Sequence, residues 1–352
     1  MSSHSVNKEL VRVRFLRPFD ASVERCNLSY SLSDNQVLVK TIFSGISTGT
    51  ELLFYRGLVP ESVETDAIFA REPFSYPISY GYAVVGTVAE VGKRVDSHTW
   101  LHRRVFCFSP HQNYVVIEVD QLICIPENIE LQDAIFLPWM ETAICLVHDG
   151  APLVGDNVVV FGQGVVGLLL SFLLSSFPLT SLSTVEKSCS RREVARSLGK
   201  NAQVYCPQQV EQANFSLYGS DQGLQKADVS FEVSGSVEAL NQAILCTRYD
   251  GKVVVGSWFG KQSISLPAIG SYYHRSHLTL ISSQVSFIPP HLSGRWDKKR
   301  RFEVAWHFIR KLQPSRLISK VVKIDEASEV YRQMDENPDH CVQILFSYEH
   351  TT

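Results

Sequence analysis

The chain has 352 residues, 45% of them hydrophobic and 20% charged, with a formal net charge of -3. That length is generous for one domain and comfortable for two. The composition is that of an ordinary globular protein, and the near-neutral balance lacks the basic footprint that nucleic acid or an anionic membrane would call for.

The opening MSSHSVNKELVRV carries no apolar core of signal-peptide length, and no apolar run is long enough to span a bilayer. The expectation is a cytoplasmic protein with neither a membrane nor a nucleic-acid partner. Eight cysteines (Cys26, Cys107, Cys124, Cys145, Cys189, Cys206, Cys246, Cys341) are scattered without a C-x-x-C pair. This argues against a clustered structural zinc site and against a disulfide framework, and leaves most of them as buried thiols.

Residues 10–15 and 36–42 alternate loosely between apolar and polar types, the pattern of strands in a half-buried sheet. Ser44-Gly45-Ile46-Ser47-Thr48-Gly49-Thr50-Glu51 then reads as a loop entering a short helix. The irregular stretch from Leu58 to Ser75 reads either as a lid over a pocket or as a surface excursion; its aromatics Phe69 and Phe74, with Tyr76, fit an apolar pocket or the core. Tyr76–Gly92 is a turn followed by a glycine-punctuated strand, and Val105–Phe108 and Tyr114–Ile117 add two more strands. Up to about residue 125 the chain reads as a β-rich, barrel-like unit.

From Pro126 the pattern changes. Asp133–Val147 has helical spacing, and Gly155 opens the most informative stretch of the sequence. Val158-Val159-Val160-Phe161 suits a strand buried on both faces. Gly162-Gln163-Gly164-Val165-Val166-Gly167 follows directly and opens an apolar helix, and Glu186 closes the next strand. A G-x-G-x-x-G run between strand and helix, with an acidic residue about 20 positions on, is the dinucleotide-binding fingerprint in its proper context. Gly162 would make the tight turn, Gly164 would let the backbone approach a pyrophosphate, and Gly167 would let helix pack on strand. The helix N-terminus offers N–H groups to the phosphates, and Glu186 would accept from the adenosine ribose. Further strands (203–205, 228–233, 251–256, 278–281) alternate with helices (191–198, 237–246), which predicts a doubly wound parallel sheet. The charged helix Trp296–Leu312 and the strand Val342–Phe346 read as a return to the first domain.

These landmarks (the Gly45–Glu51 loop, the Tyr76–Gly92 strand, Gly162–Gly167, Ser234–Leu240 and Gly251–Gly256) resemble the medium-chain dehydrogenase/reductase superfamily over nearly the whole chain. The loop Ser44–Glu51 with Gly81-Tyr82 is similar to that of bacteriochlorophyllide a dehydrogenases. The Ser282–Ser286 and Gly294–Trp296 segments are instead similar to zinc-binding dehydrogenases in the broad sense, so the pigment substrate is not carried over. The resemblance implies an α/β chain with a GroES-like β-barrel catalytic domain over residues 1–140 and 290–352. It implies a Rossmann domain with a doubly wound parallel sheet over 141–289, and a homodimer in which His277–Phe287 supplies the pairing strand.

The resemblance also shows where this chain departs. The zinc-dependent members carry a cysteine ligand in the first loop, where Ser47 or Thr48 stands here, and a Gly-His-Glu run where this chain has Gly81-Tyr82-Ala83. Hydroxyl side chains are poor replacements for the Cys, His or carboxylate ligands of a catalytic zinc, so the expectation is no metal. A non-standard site drawing on Glu51, Cys145 or His148 is the alternative, against simple packing for the last two and a salt bridge that anchors the loop for Glu51.

Without metal, the resemblance places the hydroxyls of Ser47, Thr48 and Tyr82 toward the nicotinamide. Tyr82 is the first choice of proton donor, or else it fills the volume left by zinc and its histidine. Thr142 matches a position that touches the nicotinamide, or else bonds its own helix. Ser234 and Gly235 belong to the cofactor site with Gly162, Gly164, Val165, Val166 and Gly167. Arg275, in Tyr272–His277, would suit an anionic group, or that segment is a solvated turn. Glu186 favours NAD over NADP by repelling a 2′-phosphate, although Lys187, Arg191 and Arg192 follow closely. The expected function is hydride transfer between NAD(H) and a small-molecule secondary alcohol, ketone or activated alkene. The alternative is a nucleotide-binding sensor or scaffold that has lost catalysis.

Overall fold

The computed structural model describes residues 8–60, 75–198, 202–212 and 225–348. Most of the expected lid, including Phe69 and Phe74, lies outside the described residues. By compactness the chain divides into Met1–Leu137 with Gln313–Thr352, and Pro138–Leu312.

The first unit is β-rich. A seven-stranded sheet runs in the order Ile318–Lys323, Gln343–Ser347, Gln36–Gly45, Val84–Val91, Arg104–Cys107, Ile123–Cys124, with Tyr114–Glu118 also paired to Gln36–Gly45. A hairpin of Lys8–Arg17 and Asp20–Leu28 forms separately. Alternation turns Val37, Val39, Val84, Val88, Val105 and Val115 into one core. A second core gathers Phe15, Leu52, Phe54 and Tyr55 with Val330, Tyr331 and Phe346. The C-terminal segment thus completes the unit that the N-terminal strands begin.

The second unit carries a six-stranded parallel sheet in the order Ala202–Tyr205, Ser181–Val185, Asn157–Phe161, Ala227–Glu232, Thr247–Val255, Thr279–Ser282. Counted within the unit this is 3-2-1-4-5-6, the dinucleotide-binding order. The reversal falls between Asn157–Phe161 and Ala227–Glu232, which pair in parallel with Phe161 opposite Glu232. All five residues of Asn157–Phe161 are buried, as a central strand covered on both faces requires.

Three differences from the sequence reading have physical causes. The helix expected over Asp133–Val147 is two, Leu131–Ala134 and Leu137–Gly150, because Pro138 restricts the residue before it and suits a helix's first turn. The strands Asp20–Leu28 and Ile318–Lys323 and the helix Ala327–Glu336 are too polar or too short in pattern to stand out. Helix Lys298–Leu312 packs with the parallel-sheet unit, tied there by an ion cluster. Arg301 is fully buried and donates from Nε to Glu141 Oε1 at 2.9 Å, from Nη1 to the Phe287 carbonyl at 3.1 Å, and from Nη2 to the Val285 carbonyl. Lys298 adds bonds of 2.9 Å to Glu141 and to Val285. Among the described residues no helix is long and apolar enough to cross a membrane.

Removing one member of a buried pair strands the other charge, at a cost of about 3–5 kcal/mol. Glu141→Ala is therefore expected to lower the unfolding free energy of the sheet-bearing unit by about that amount in urea titration. A loss within experimental error would show that the cluster does not hold this helix.

Candidate active site and nucleotide-binding turn

At the strand reversal the backbone makes a turn that only glycine allows. Gly162 has φ +96°, and a Cβ there would lie 2.7 Å from the Ser234 Cα. A Cβ on Gly167 would run into the Gly162 carbonyl, so these two glycines are fixed by the turn's own packing. Gly164 and Gly235 are different, because a Cβ on either would meet no atom within 4 Å. Nothing in the protein's own packing or backbone asks for the bareness of Gly164, which leaves room for a ligand's phosphates, whereas the φ of +71° at Gly235 favours glycine by itself. Gly164 caps the helix Val165–Leu174 without a side-chain hydrogen bond, leaving the orphan N–H groups that bind anions.

Glu186 is held against this turn. Its Oε2 accepts from the Gln163 N–H and its Oε1 from the Ser188 N–H, at 2.7 and 2.8 Å. Gln163 turns its side chain inward, donating to the Gly162 carbonyl and accepting from Ser171. Val165 is buried and Val166 half-buried beneath the turn. Arg192 donates from Nη1 to the carbonyls of Glu186 and Lys187, at 2.8 and 2.6 Å, so its guanidinium braces the turn. Lys187 is exposed.

Opposite, Glu232 Oε1 accepts from Ser234 N, Ser234 Oγ and Gly235 N at 2.7, 2.7 and 3.0 Å. Burial pushes this carboxyl above the usual range, against the pull of those donors. Thr142 donates to the Pro138 carbonyl at 2.8 Å, the local helix bond that was its alternative reading. Arg275 precedes the strand Thr279–Ser282 and so lies at the N-terminal end of a parallel sheet. Ligands of such sheets bind at the carboxyl ends, so Arg275, exposed beside His274 and His277, lies at the other end, while Tyr272 and Tyr273 pack against the core.

In the barrel unit the loop after Gln36–Gly45 brings Ser47 and Tyr82 together, the tyrosine hydroxyl donating to Ser47 Oγ at 2.7 Å. Ser47 is buried and Tyr82 half-buried; Thr48 is half-buried and makes no side-chain hydrogen bond to a described residue. Glu51, fully buried one turn on, folds back so that Oε1 accepts the Ser47 N–H at 2.7 Å. Its other oxygen meets His111 Nε2 at 2.9 Å and accepts from the Tyr331 hydroxyl. His111 Nδ1 lies 2.6 Å from Ser44 Oγ, which lies 2.7 Å from the Tyr348 hydroxyl. Glu51 therefore anchors the loop, through hydrogen bonds from a backbone N–H, a phenol and an imidazole; the expected salt bridge to a lysine or arginine is not seen among the described residues. Burial pushes the phenols of Tyr331 and Tyr348 well above their ordinary value, keeping both as hydroxyl donors.

Ser44, His111 and Glu51 have the residue types and order of a hydrolytic triad. All three are fully buried, however, and a nucleophile that no substrate reaches does no acyl chemistry. Nothing in the sequence pattern marks His111, Tyr331, Ser44 or Tyr348. They come from four separate segments that meet only in the folded barrel unit.

The donor set does not suit a catalytic zinc. Among the described residues no three His, Cys, Asp or Glu side chains gather to hold a metal. Glu51 is saturated by its own partners. Burial pushes the Cys145 thiol up to about 11, with Asp149 adding to it. His148 is held down at about 4, by burial first and by Arg301 second, which leaves the imidazole neutral, but no further ligand joins it among the described residues.

No protein-family model matches the chain. Over 328 residues it is 24% identical to D-guloside 3-dehydrogenase of Escherichia coli (strain K12), covering 88% of this chain and 92% of that one. Over 252 residues it is 26% identical to (R,R)-butanediol dehydrogenase of Bacillus subtilis (strain 168), covering 64% and 71%. The solved structure of an Escherichia coli CFT073 protein, described as a short chain alcohol dehydrogenase and complexed with NADH, superposes with TM-score 0.74 at 16% identity, over 97% of this chain and 100% of that one. That last likeness speaks to the fold. The similarity of the N-terminal motifs to bacteriochlorophyllide a dehydrogenases rests on those motifs alone.

Because Gly164 faces open space, Gly164→Val is expected to leave thermal stability nearly unchanged while weakening NADH binding roughly tenfold or more, read by quenching of NADH fluorescence. Unaltered NADH affinity in a folded variant would remove this turn from the cofactor site.

Proposed function

Since the chain belongs to the medium-chain dehydrogenase/reductase superfamily, we propose that it is a zinc-independent oxidoreductase moving a hydride between NAD(H) and a secondary alcohol, ketone or activated alkene. The observation that carries this reading is the Tyr82–Ser47 hydroxyl pair, at positions where the resemblance would put metal ligands in the zinc-dependent members. The glycine turn fits a nicotinamide dinucleotide: Gly162 and Gly167 make the turn, Gly164 and Gly235 leave the room, and Glu186 presents a carboxylate beside it. When bound, that cofactor supplies or accepts the hydride.

This chain's own part is to manage the proton and the charge. Reduction of a carbonyl puts negative charge on its oxygen, which a positioned donor must stabilise or protonate. Tyr82 is that donor. With its proton given up, the phenolate oxygen faces Ser47 Oγ at 2.7 Å, a hydroxyl able to donate in return. Alcohol oxidation runs the same steps backwards. The D-guloside and butanediol dehydrogenases named above motivate a test panel of 2,3-butanediol, a 3-hydroxyl-bearing glycoside, polyols and enones.

Glu186 is the reason for choosing NAD. A 2′-phosphate would sit against a carboxylate fixed by two backbone N–H groups, and such juxtaposed like charges cost several kcal/mol. The pairing strand of the proposed homodimer is Thr279–Ser282, an edge of its sheet with Leu280 exposed.

Turnover of a panel substrate with NAD⁺ or NADH is expected. Tyr82→Phe should lower kcat by about two orders of magnitude, the contribution typical of general acid–base catalysis, with NADH affinity kept. NADH binding without turnover of any substrate would favour the sensor reading, undiminished kcat in Tyr82→Phe would remove that tyrosine, and tighter NADPH than NADH binding would reverse the cofactor choice.

A further inference from the structure

We propose that His111 is a positioning residue that sets the Tyr82–Ser47 pair from both sides; this rests on the reading of that pair given above. The imidazole is fully buried, and it touches the segments carrying both hydroxyls.

On the tyrosine side it lies flat against the chain immediately before Tyr82. Gly81 has φ +121°, and a Cβ there would be 2.7 Å from the ring's Cδ2 and 2.8 Å from its Nε2. Only glycine lets the ring come this close, which gives Gly81 a reason beyond its turn. The His111 N–H also donates to the Tyr80 carbonyl at 3.4 Å. On the serine side Nε2 lies 2.9 Å from Glu51 Oε2, and Glu51 Oε1 holds the Ser47 N–H at 2.7 Å.

The ring itself is oriented by independent contacts. Ser44 Oγ is 2.6 Å from Nδ1 and Phe346 packs edge-on with centroids 5.1 Å apart, while the residue's backbone is held by Val13 N donating to its carbonyl at 3.0 Å. One tautomer satisfies every neighbour: Nε2–H donates to Glu51, Nδ1 accepts from Ser44, and Ser44 accepts from Tyr348. His111 touches neither substrate nor cofactor in this arrangement. It fixes the separation of the two hydroxyls that do the chemistry, and displacements of about 1 Å at such groups cost roughly a hundredfold in rate.

The test compares His111→Leu, which removes the polar contacts, with His111→Gln, whose amide can still reach Glu51. Crystal structures of the variants report the Tyr82–Ser47 separation directly, whatever the enzyme's substrate. The expected result is a pair moved out of hydrogen-bond reach in His111→Leu, with kcat down roughly tenfold to a hundredfold, KM for NAD⁺ held, and partial rescue by His111→Gln. A pair still 2.7 Å apart in His111→Leu overturns the proposal. If that variant fails to fold, His111→Ser, whose short side chain also leaves Glu51 without its imidazole partner, decides: a displaced pair supports the proposal and an undisplaced one overturns it. A displaced pair with unchanged kcat tells against the catalytic reading of Tyr82 and leaves the positioning role standing.

Discussion

A carboxylate without solvent, and without a lysine or arginine in ion-pair range among the described residues, survives only if hydrogen-bond donors replace its lost hydration. Glu51 is in that situation, and three segments supply what it lacks: the Ser47 N–H from its own loop, the His111 imidazole from the turn before Tyr114–Glu118, and the Tyr331 hydroxyl from helix Ala327–Glu336. The consequence reaches past stability. The loop bearing Ser47 can take its observed shape only when the C-terminal segment has returned to the barrel, so the proposed reacting groups and the fold's closure are one construction.

The parallel-sheet unit obeys a similar logic with different materials. Its strand order reverses beside Gly162, and the two glycines that the turn's packing demands are accompanied by Gly164, which neither packing nor backbone conformation demands. Glu186 and Glu232 face this turn from its two sides, Glu186 spending both oxygens and Glu232 its Oε1 on backbone N–H groups. Carboxylates used in this way hold the loops that would receive the dinucleotide and set the sign of the charge near its ribose.

Much of this was legible in the sequence because it depends on local pattern. A buried β-branched strand followed by Gly162-Gln163-Gly164-Val165-Val166-Gly167 and then Glu186 is a contiguous signal, and so is the alternation of strand and helix after it. Ser47 and Tyr82 could be named only through the resemblance, from the loops where zinc-dependent members carry their ligands, and the structure brings their hydroxyls into contact. What escaped is non-local. His111, Tyr331 and Tyr348 are ordinary core-compatible residues until the barrel assembles around Glu51. Arg301 looks like one of several surface charges in the run from Lys298, and only its place on the helix reveals that it is buried against Glu141. Arg275 shows the reverse failure: basic and near a sheet strand in sequence, it lies at the end of the sheet that ligands do not use.

Chemistry done by paired hydroxyls, with no bound metal, is the claim on which the account turns. Metal analysis of protein purified from zinc-supplemented cultures, with turnover measured before and after chelation, tests it most directly. The account predicts substoichiometric zinc and a rate that chelation leaves unchanged. One zinc per chain, with activity abolished by the chelator and restored by adding zinc back, would contradict it.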